Sequence, residues 1–566
     1  MEDKKLASQE NKSSLDDVLL NTGKDNYKAR ERFFMHTNPP FKNQLFYIIL
    51  CFMPTLASAQ GGGDYGGVGG FPKTNDDSVR IPVRVHPDNP KCFLFRGKPM
   101  AFLTATEHYG SVMNRPFRFE RYLADAASKG ITYTRLFLLF RELQSAQNPY
   151  STCKPESPDY IAPFLRTGPG KALDGELKYD LNQWNPEFFS RLQQFLDLAA
   201  HYGIVVELTL LSNMYEPLVW ELNPLHAANN INGMEKIAWP DFITARHAKL
   251  FDIQKRYVRK IVEVTKRYDN VFYEICNEPG GNLQNNSSNA QPPEVNRWQM
   301  QLADVIHDAE KDMPYKHLIA GQEAYNDAPA QQPSDSTFKG LGFDIVNIHP
   351  LPNAAYRGKI YHMGDFMSKQ LKLRQIRDYC LDTYHEAKPL NFDEDNVASA
   401  YKDYEAWTIE RKRAWVTLFS GAHYDIIDFS IINYVETGTD SSQKYLRSWF
   451  GHLSAYMRTV DIVKGKPLTN WLKEKPGNTL EAVFAVPGKD YNIYLADERE
   501  LIDRNAGQPI RGNIRFDLPA GTYEIRSYAP ETGLYSPAVT ISGSKNLQYG
   551  IPECKGDIVV RITSVN

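Results

Sequence analysis

Two glutamates in this chain are placed to act as a pair. Glu278 lies in NVFYEICNEPGG, just past a β-rich run, and Glu394 lies in KPLNFDEDN, just past another. Two carboxyl groups flanking a sugar's anomeric carbon can break a glycosidic bond. One is protonated and assists the leaving oxygen, while the other is ionised and attacks. The triplet Asn277-Glu278-Pro279 is too short to carry this alone, so its weight depends on the elements around it. Asp393 and Asp395 flank Glu394. Each needs a salt or hydrogen-bond partner, or its repulsion would disfavour the ionised form of Glu394.

Short β-rich runs alternate with amphipathic helical stretches from about 98 to 460, the pattern of βα units around a parallel sheet. The runs are Met100–Ala105, Tyr133–Phe140, Ile204–Leu211, Val271–Cys276, His317–Ala320, Phe343–Ile348, Pro389–Phe392 and Tyr424–Phe429. Between them, Asn185-Pro186 opens a helix with Phe188, Leu192, Phe195, Leu196 and Ala199 at 3–4 spacing, and Gly203 closes it. Eight such units predict a (β/α)₈ TIM barrel, whose working residues sit at the C-terminal ends of the strands. Glu278 then ends strand four and Glu394 ends strand seven. The two are 116 residues apart, about three units of ~40 residues. Glu274 shares a strand face with Cys276 and Glu278 and is expected to point into the barrel. There it needs a partner, and Arg135 is one candidate.

On these residues the chain resembles clan A of the glycoside hydrolases, the cellulase-like group. The resemblance implies Glu278 as acid/base and Glu394 as nucleophile of a retaining enzyme. It implies that Asn277 hydrogen-bonds the sugar's 2-hydroxyl and that Arg135, in TYTRLFLLF, helps keep the nucleophile ionised. His349, in DIVNIHPLP, matches the first residue of a His-x-Tyr motif, but position 351 is Leu. Tyr356 and Tyr361 are candidates for the missing Tyr. The eighth strand lacks the clan's Trp platform, and Asp428 and Phe429 stand in that region. HPDNPKCFLFRGKP, EHYG and WELNPLHAANNING are similar to stretches of uncharacterised cellulase-like proteins of bacterial polysaccharide degraders. Glu107 and His108, after strand one, are candidates for substrate contact or for structural hydrogen bonds. Asn229 and Asn230, in the polar loop after strand three, are candidates for a sugar pocket.

The rest of the chain bounds these readings. Charges of both signs are interspersed, with a net of −3, so there is no clustered positive surface for nucleic acid. The 13 histidines show no helical ligand spacing, and no Gly-rich phosphate loop follows a strand, so neither a catalytic metal nor another cofactor is expected. Six cysteines without a CxxC pair do not form a disulfide framework, although one bridge stays open. Lys42, the apolar run Leu45–Leu56 and Ala57-Ser58-Ala59 read as a signal peptide. Residues 1–59 are then a leader, removed from a secreted or periplasmic protein that leaves no membrane-inserted segment. The alternative is an uncleaved anchor. Residues 60–79 form a Gly-rich linker, 80–463 the barrel, and 464–566 a small antiparallel β-sandwich of short strands with turn residues between them. Tyr494, Tyr528 and Tyr535 are expected to be exposed on that sandwich, which either buttresses the barrel or binds glycan. The substrate expected is a poly- or oligosaccharide. A non-hydrolytic carbohydrate-binding barrel and a transglycosylase are the competing readings, and oligomeric state stays open.

Overall fold

The computed structural model describes residues 80–107, 110–141, 157–280, 290–326 and 331–565. The leader and linker expectations, and His108, lie outside them.

Eight parallel strands form one sheet: β1 Leu103–Thr106, β2 Tyr133–Phe137, β3 Val205–Ser212, β4 Val271–Asn277, β5 Ile319–Gly321, β6 Ile345–Asn347, β7 Leu390–Phe392 and β8 His423–Ile427. Backbone ladders join them in the order 1-8-7-6-5-4-3-2. Side chains complete the circle between β1 and β2. The Leu103 N–H donates to Thr132 Oγ1 at 3.2 Å, and the Thr106 and Thr134 hydroxyls meet at 2.7 Å. Each strand is followed by a helix: α1 Phe119–Ser128, α2 Pro186–Tyr202, α3 Ala248–Thr265, α4 Pro292–Ala309, α5 Asp335–Lys339, α6 Leu373–Thr383, α7 Tyr404–Phe419 and α8 Ser448–Met457. All eight expected βα units are therefore present, in a TIM barrel followed by a β-sandwich.

Local chemistry sets the helix ends. In α2 the Asn185 side chain accepts from the Glu187 N–H, Pro186 occupies the first turn, and Gly203 ends the helix at φ +72°. Such an N-cap contributes about 1 kcal/mol.

Apolar and polar layers divide the barrel interior. At the bottom, a three-stranded sheet (Arg84–His86, Asn89–Phe95, Lys98–Met100) presses Phe93 onto Phe102 at 3.9 Å between ring centres. Phe102 in turn stacks on Tyr133 and Phe272 at 4.8 and 5.5 Å. Each of these buried rings contributes about 1.5–3 kcal/mol of apolar burial. Above this plug the inward positions are Glu207, Arg135, Glu274, Asn347, Asn391 and Asp393, all fully buried.

From Lys466 the chain is antiparallel. A sheet built on Thr479–Val486, Asp490–Asp497, Asp557–Ser564 and Thr522–Ala529 faces the pair Ile510–Phe516 and Leu547–Cys554. Val483, Ile493, Ile514, Phe516, Ile525 and Val560 fill the space between. The expected exposure of the three tyrosines is corrected here. Tyr494 and Tyr528 are buried because they meet α7 of the barrel, and only Tyr535 is exposed. Tyr494 stacks on Trp415 at 5.5 Å, and Tyr528 lies 5.9 Å from the same indole. Cys92, Cys276, Cys380 and Cys554 are free thiols. No helix among the described residues is long and apolar enough to cross a membrane.

Candidate active site

Glu278 ends β4 and Glu394 follows β7, so the two face each other across the barrel mouth. One carboxylate oxygen of each, together with a ring nitrogen of His349 beyond β6, lie within 4.8 Å of one another. Glu278 has a left-handed backbone, φ +46°. A strand sends neighbouring side chains to opposite faces, and a left-handed residue at its end breaks that alternation. Asn277 and Glu278 can therefore both serve the mouth, at a cost of about 1–2 kcal/mol for a non-glycine residue. The Glu278 N–H donates to Gln322 Oε1 at 3.1 Å, which fixes the turn from β5.

The two carboxylates have different surroundings. Glu394 is nearly buried, its side chain 7 % exposed, and it accepts from Arg135 Nη1 at 2.7 Å and from Asn396 Nδ2 at 2.8 Å. These charge-assisted bonds favour its ionised form. Glu278 is 26 % exposed, enough for water to reach it, and its Oε1 faces His349 Nδ1 at 2.7 Å. Burial alone would keep His349 neutral. Glu394, Asp393 and Glu278 outweigh that effect and lift its pKa well above the ordinary histidine range. Those charges favour the protonated ring, whose Nδ1 faces Glu278.

Arg135 is the hub beneath the pair. It grips Glu274 through Nε at 2.9 Å and Nη2 at 2.6 Å, and Nη2 also donates to Asn277 Oδ1 at 2.8 Å. The Asn277 amide in turn donates to the Tyr215 hydroxyl at 2.5 Å. Deeper in the barrel, Glu207, Glu274 and Asp393 each bring an oxygen within 4.8 Å of the others. Asn347 Nδ2 and the Tyr133 hydroxyl donate to Glu207, and Thr209 donates to Glu274 at 2.6 Å. Burial, followed by Glu274 and Asp393, raises the Glu207 pKa well above the carboxylate range. Both groups of acids have the close spacing that could hold a cation. One already holds the Arg135 guanidinium, and the other sets the His349 ring between two carboxylates.

The remaining expected site residues lie elsewhere in the network. Glu107 is buried, with its oxygens on the Gly110 N–H at 2.7 Å and the Ser111 hydroxyl at 2.8 Å. Asn229 holds its own loop through the Glu221 and Asn223 carbonyls and accepts from the Leu173 N–H. Asn230 does the same through Pro224, His226 and the Asn232 N–H. Asp428 accepts from the Ser430 N–H at 2.9 Å and the Ser442 hydroxyl at 2.6 Å. Of the residues expected at the site, the structure brings together Glu278, Glu394, Asn277, Arg135 and His349. The Tyr356 and Tyr361 hydroxyls bond Glu386 and Asp382 rather than Glu394. Asn396 makes the contact with Glu394 instead. Asn396, Tyr215 and Gln322 were missed from sequence, although each lies within four residues of a barrel strand end.

Asp395 satisfies its need for a partner outside the barrel. Arg413 of α7 holds it at 2.6 and 2.9 Å, and the Tyr424 hydroxyl adds a third bond. Its charge is thereby kept away from Glu394.

Residues 153–286 match a family described as a domain of unknown function, DUF6298. Among curated proteins none matches the chain. Solved structures of the same fold include one described as a glycoside hydrolase, with a TM-score of 0.54 and 11% identity, covering 86% of this chain and 97% of that one. Another is a glycoside hydrolase of family 5 from Bacteroides vulgatus, with a TM-score of 0.52 and 12% identity over 86% of this chain and 95% of its own. At these identities the likeness is one of fold.

Proposed function

We propose that the chain is a retaining glycoside hydrolase acting on poly- or oligosaccharides, with Glu394 as nucleophile and Glu278 as acid/base. The observation that carries this reading is the approach of the two carboxylates to within 4.8 Å across the mouth. Retaining enzymes hold the pair about 5–5.5 Å apart, whereas inverting ones leave about 6.5–9.5 Å for a water. The same fold in two proteins described as glycoside hydrolases supports the substrate class.

Glu394, held ionised by Arg135 and Asn396, attacks the anomeric carbon. The proton on Glu278 passes to the departing oxygen, leaving a glycosyl ester on Glu394. Glu278, now a carboxylate steadied by the His349 N–H, takes a proton from an entering water. The water oxygen bonds the anomeric carbon, the ester breaks, and configuration is retained. Asn277, oriented by Arg135 and Tyr215, is placed to hydrogen-bond the sugar's 2-hydroxyl. Residues 1–59 act as an export leader on this reading, and the enzyme works outside the cytoplasm. N-terminal sequencing of the exported protein tests that, with Gln60 expected first.

The mechanism is tested by Glu278→Ala with azide. The variant should lose turnover of substrates with poor leaving groups, keep glycosylation by dinitrophenyl glycosides, and yield a glycosyl azide of unchanged configuration. An azide of inverted configuration would assign the residues to the opposite roles.

A further inference from the structure

The mechanism uses neither Asp393 nor Asp395, but Asp395 is bonded to Arg413 and Tyr424, whereas Asp393 is not held in this way. It is fully buried, and neither of its oxygens has a hydrogen-bond donor. Its contacts are ionic: Arg135 Nη2 at 3.2 Å and His349 Nε2 at 3.5 Å. His349 Nε2 is likewise buried without a hydrogen bond, and Glu394 is its next acidic neighbour at 3.9 Å. A carboxylate that makes no directed bonds offers little that an asparagine of the same shape would lack, except charge. Arg135 is the nearer cation, but Glu274 and Glu394 already hold it through directed bonds that Asp393 does not make. The cation left for Asp393 is His349.

On the proposed roles of Glu278 and Glu394, we infer that Asp393 is a positioning residue for the acid/base. It acts through the His349 ring, holding it doubly protonated with Nδ1–H aimed at Glu278 Oε1. The line Asp393–His349–Glu278 crosses from β7 through β6 to β4. It leaves the Glu278 proton to Oε2, the oxygen the leaving group must reach. The charged groups facing this imidazole are Glu278 from β4 and Asp393 and Glu394 from β7. Arg135 from β2, with Glu274 and Glu207, stands behind Asp393.

A neutral isostere separates this role from a structural one. Asp393→Asn is compared with wild type on phenyl and 2,4-dinitrophenyl glucosides, mannosides, galactosides and xylosides of both anomers. With Asp393 acting on the acid, kcat/KM falls at least 10-fold more for the phenyl leaving group than for dinitrophenyl. In ¹⁵N-histidine spectra, assigned with His349→Gln, the wild-type ring shows both N–H groups at pH 7.5. In Asp393→Asn it titrates nearer the ordinary histidine range. Equal losses on both leaving groups, or a wild-type His349 ring carrying one proton at pH 7.5, would overturn the inference. The second outcome needs no variant, so it holds even if Asp393→Asn fails to fold. Failure of the underlying reading shows separately, as Glu278→Ala losing both leaving groups equally.

Discussion

Residues of one chemical type take different parts here because their neighbours differ. Glu394 has a guanidinium and an amide, Glu278 has the His349 ring and solvent, and Glu207 has neutral hydrogen-bond donors, two further acids and the charge of Arg135 at longer range. For the first, Glu394→Gln is expected to lower kcat more than 10³-fold with the fold intact, measured by turnover and circular dichroism. For the last, the raised folded-state pKa fixes the sign of a stability effect. A carboxyl that holds its proton more tightly when folded contributes stability below its unfolded value, near ~4.3. That contribution is lost as pH rises toward the folded value, by up to about 1.4 kcal/mol per pH unit. Glu207→Gln has no proton to lose, so its melting temperature should gain on wild type as pH rises above 5. A gap that does not change with pH would mean that Glu207 is ionised in the barrel.

At the scale of elements, the periodic signals were legible and the tertiary ones were not. Strand four read as Val271–Cys276 and folds as Val271–Asn277, because a fully buried run of β-branched and aromatic residues fits little else. Asn229 and Asn230 read as a sugar pocket because polar loops at a barrel mouth bind ligands. In the structure Asn229 ties down the backbone of the hairpin Phe164–Lys171 and Leu177–Trp184, a contact that no local pattern announces. Helix α7 shows the same limit. Its Arg411, Lys412 and Arg413 are consecutive and look like a solvated face, yet all three are buried. Arg413 turns inward to Asp395, Arg411 outward to Asp557 at 2.8 Å, and Lys412 donates to the Asp497 carbonyl. Removing one partner of such a buried pair leaves the other charge uncompensated. Arg411→Ala should therefore cost about 3–5 kcal/mol in denaturant unfolding, and Asp557→Ala should cost less than that again when added to it.

At the scale of the whole molecule, α7 lies between two bodies, with the Glu394 end of β7 on one side and the sandwich on the other. Trp415, Phe419 and Tyr456 are covered by Tyr494 and Tyr528 of the sandwich. Deleting residues 464–566 would uncover these rings and leave Arg411 and Lys412 unpaired. The shortened chain is expected in the insoluble fraction, where a soluble, active barrel would contradict the arrangement described. A lobe that completes its neighbour's helix is also a poor subject for exchange. Recombination that brought a different C-terminal module to this barrel would have to bring a new α7 with it, so the two lobes should descend as one unit.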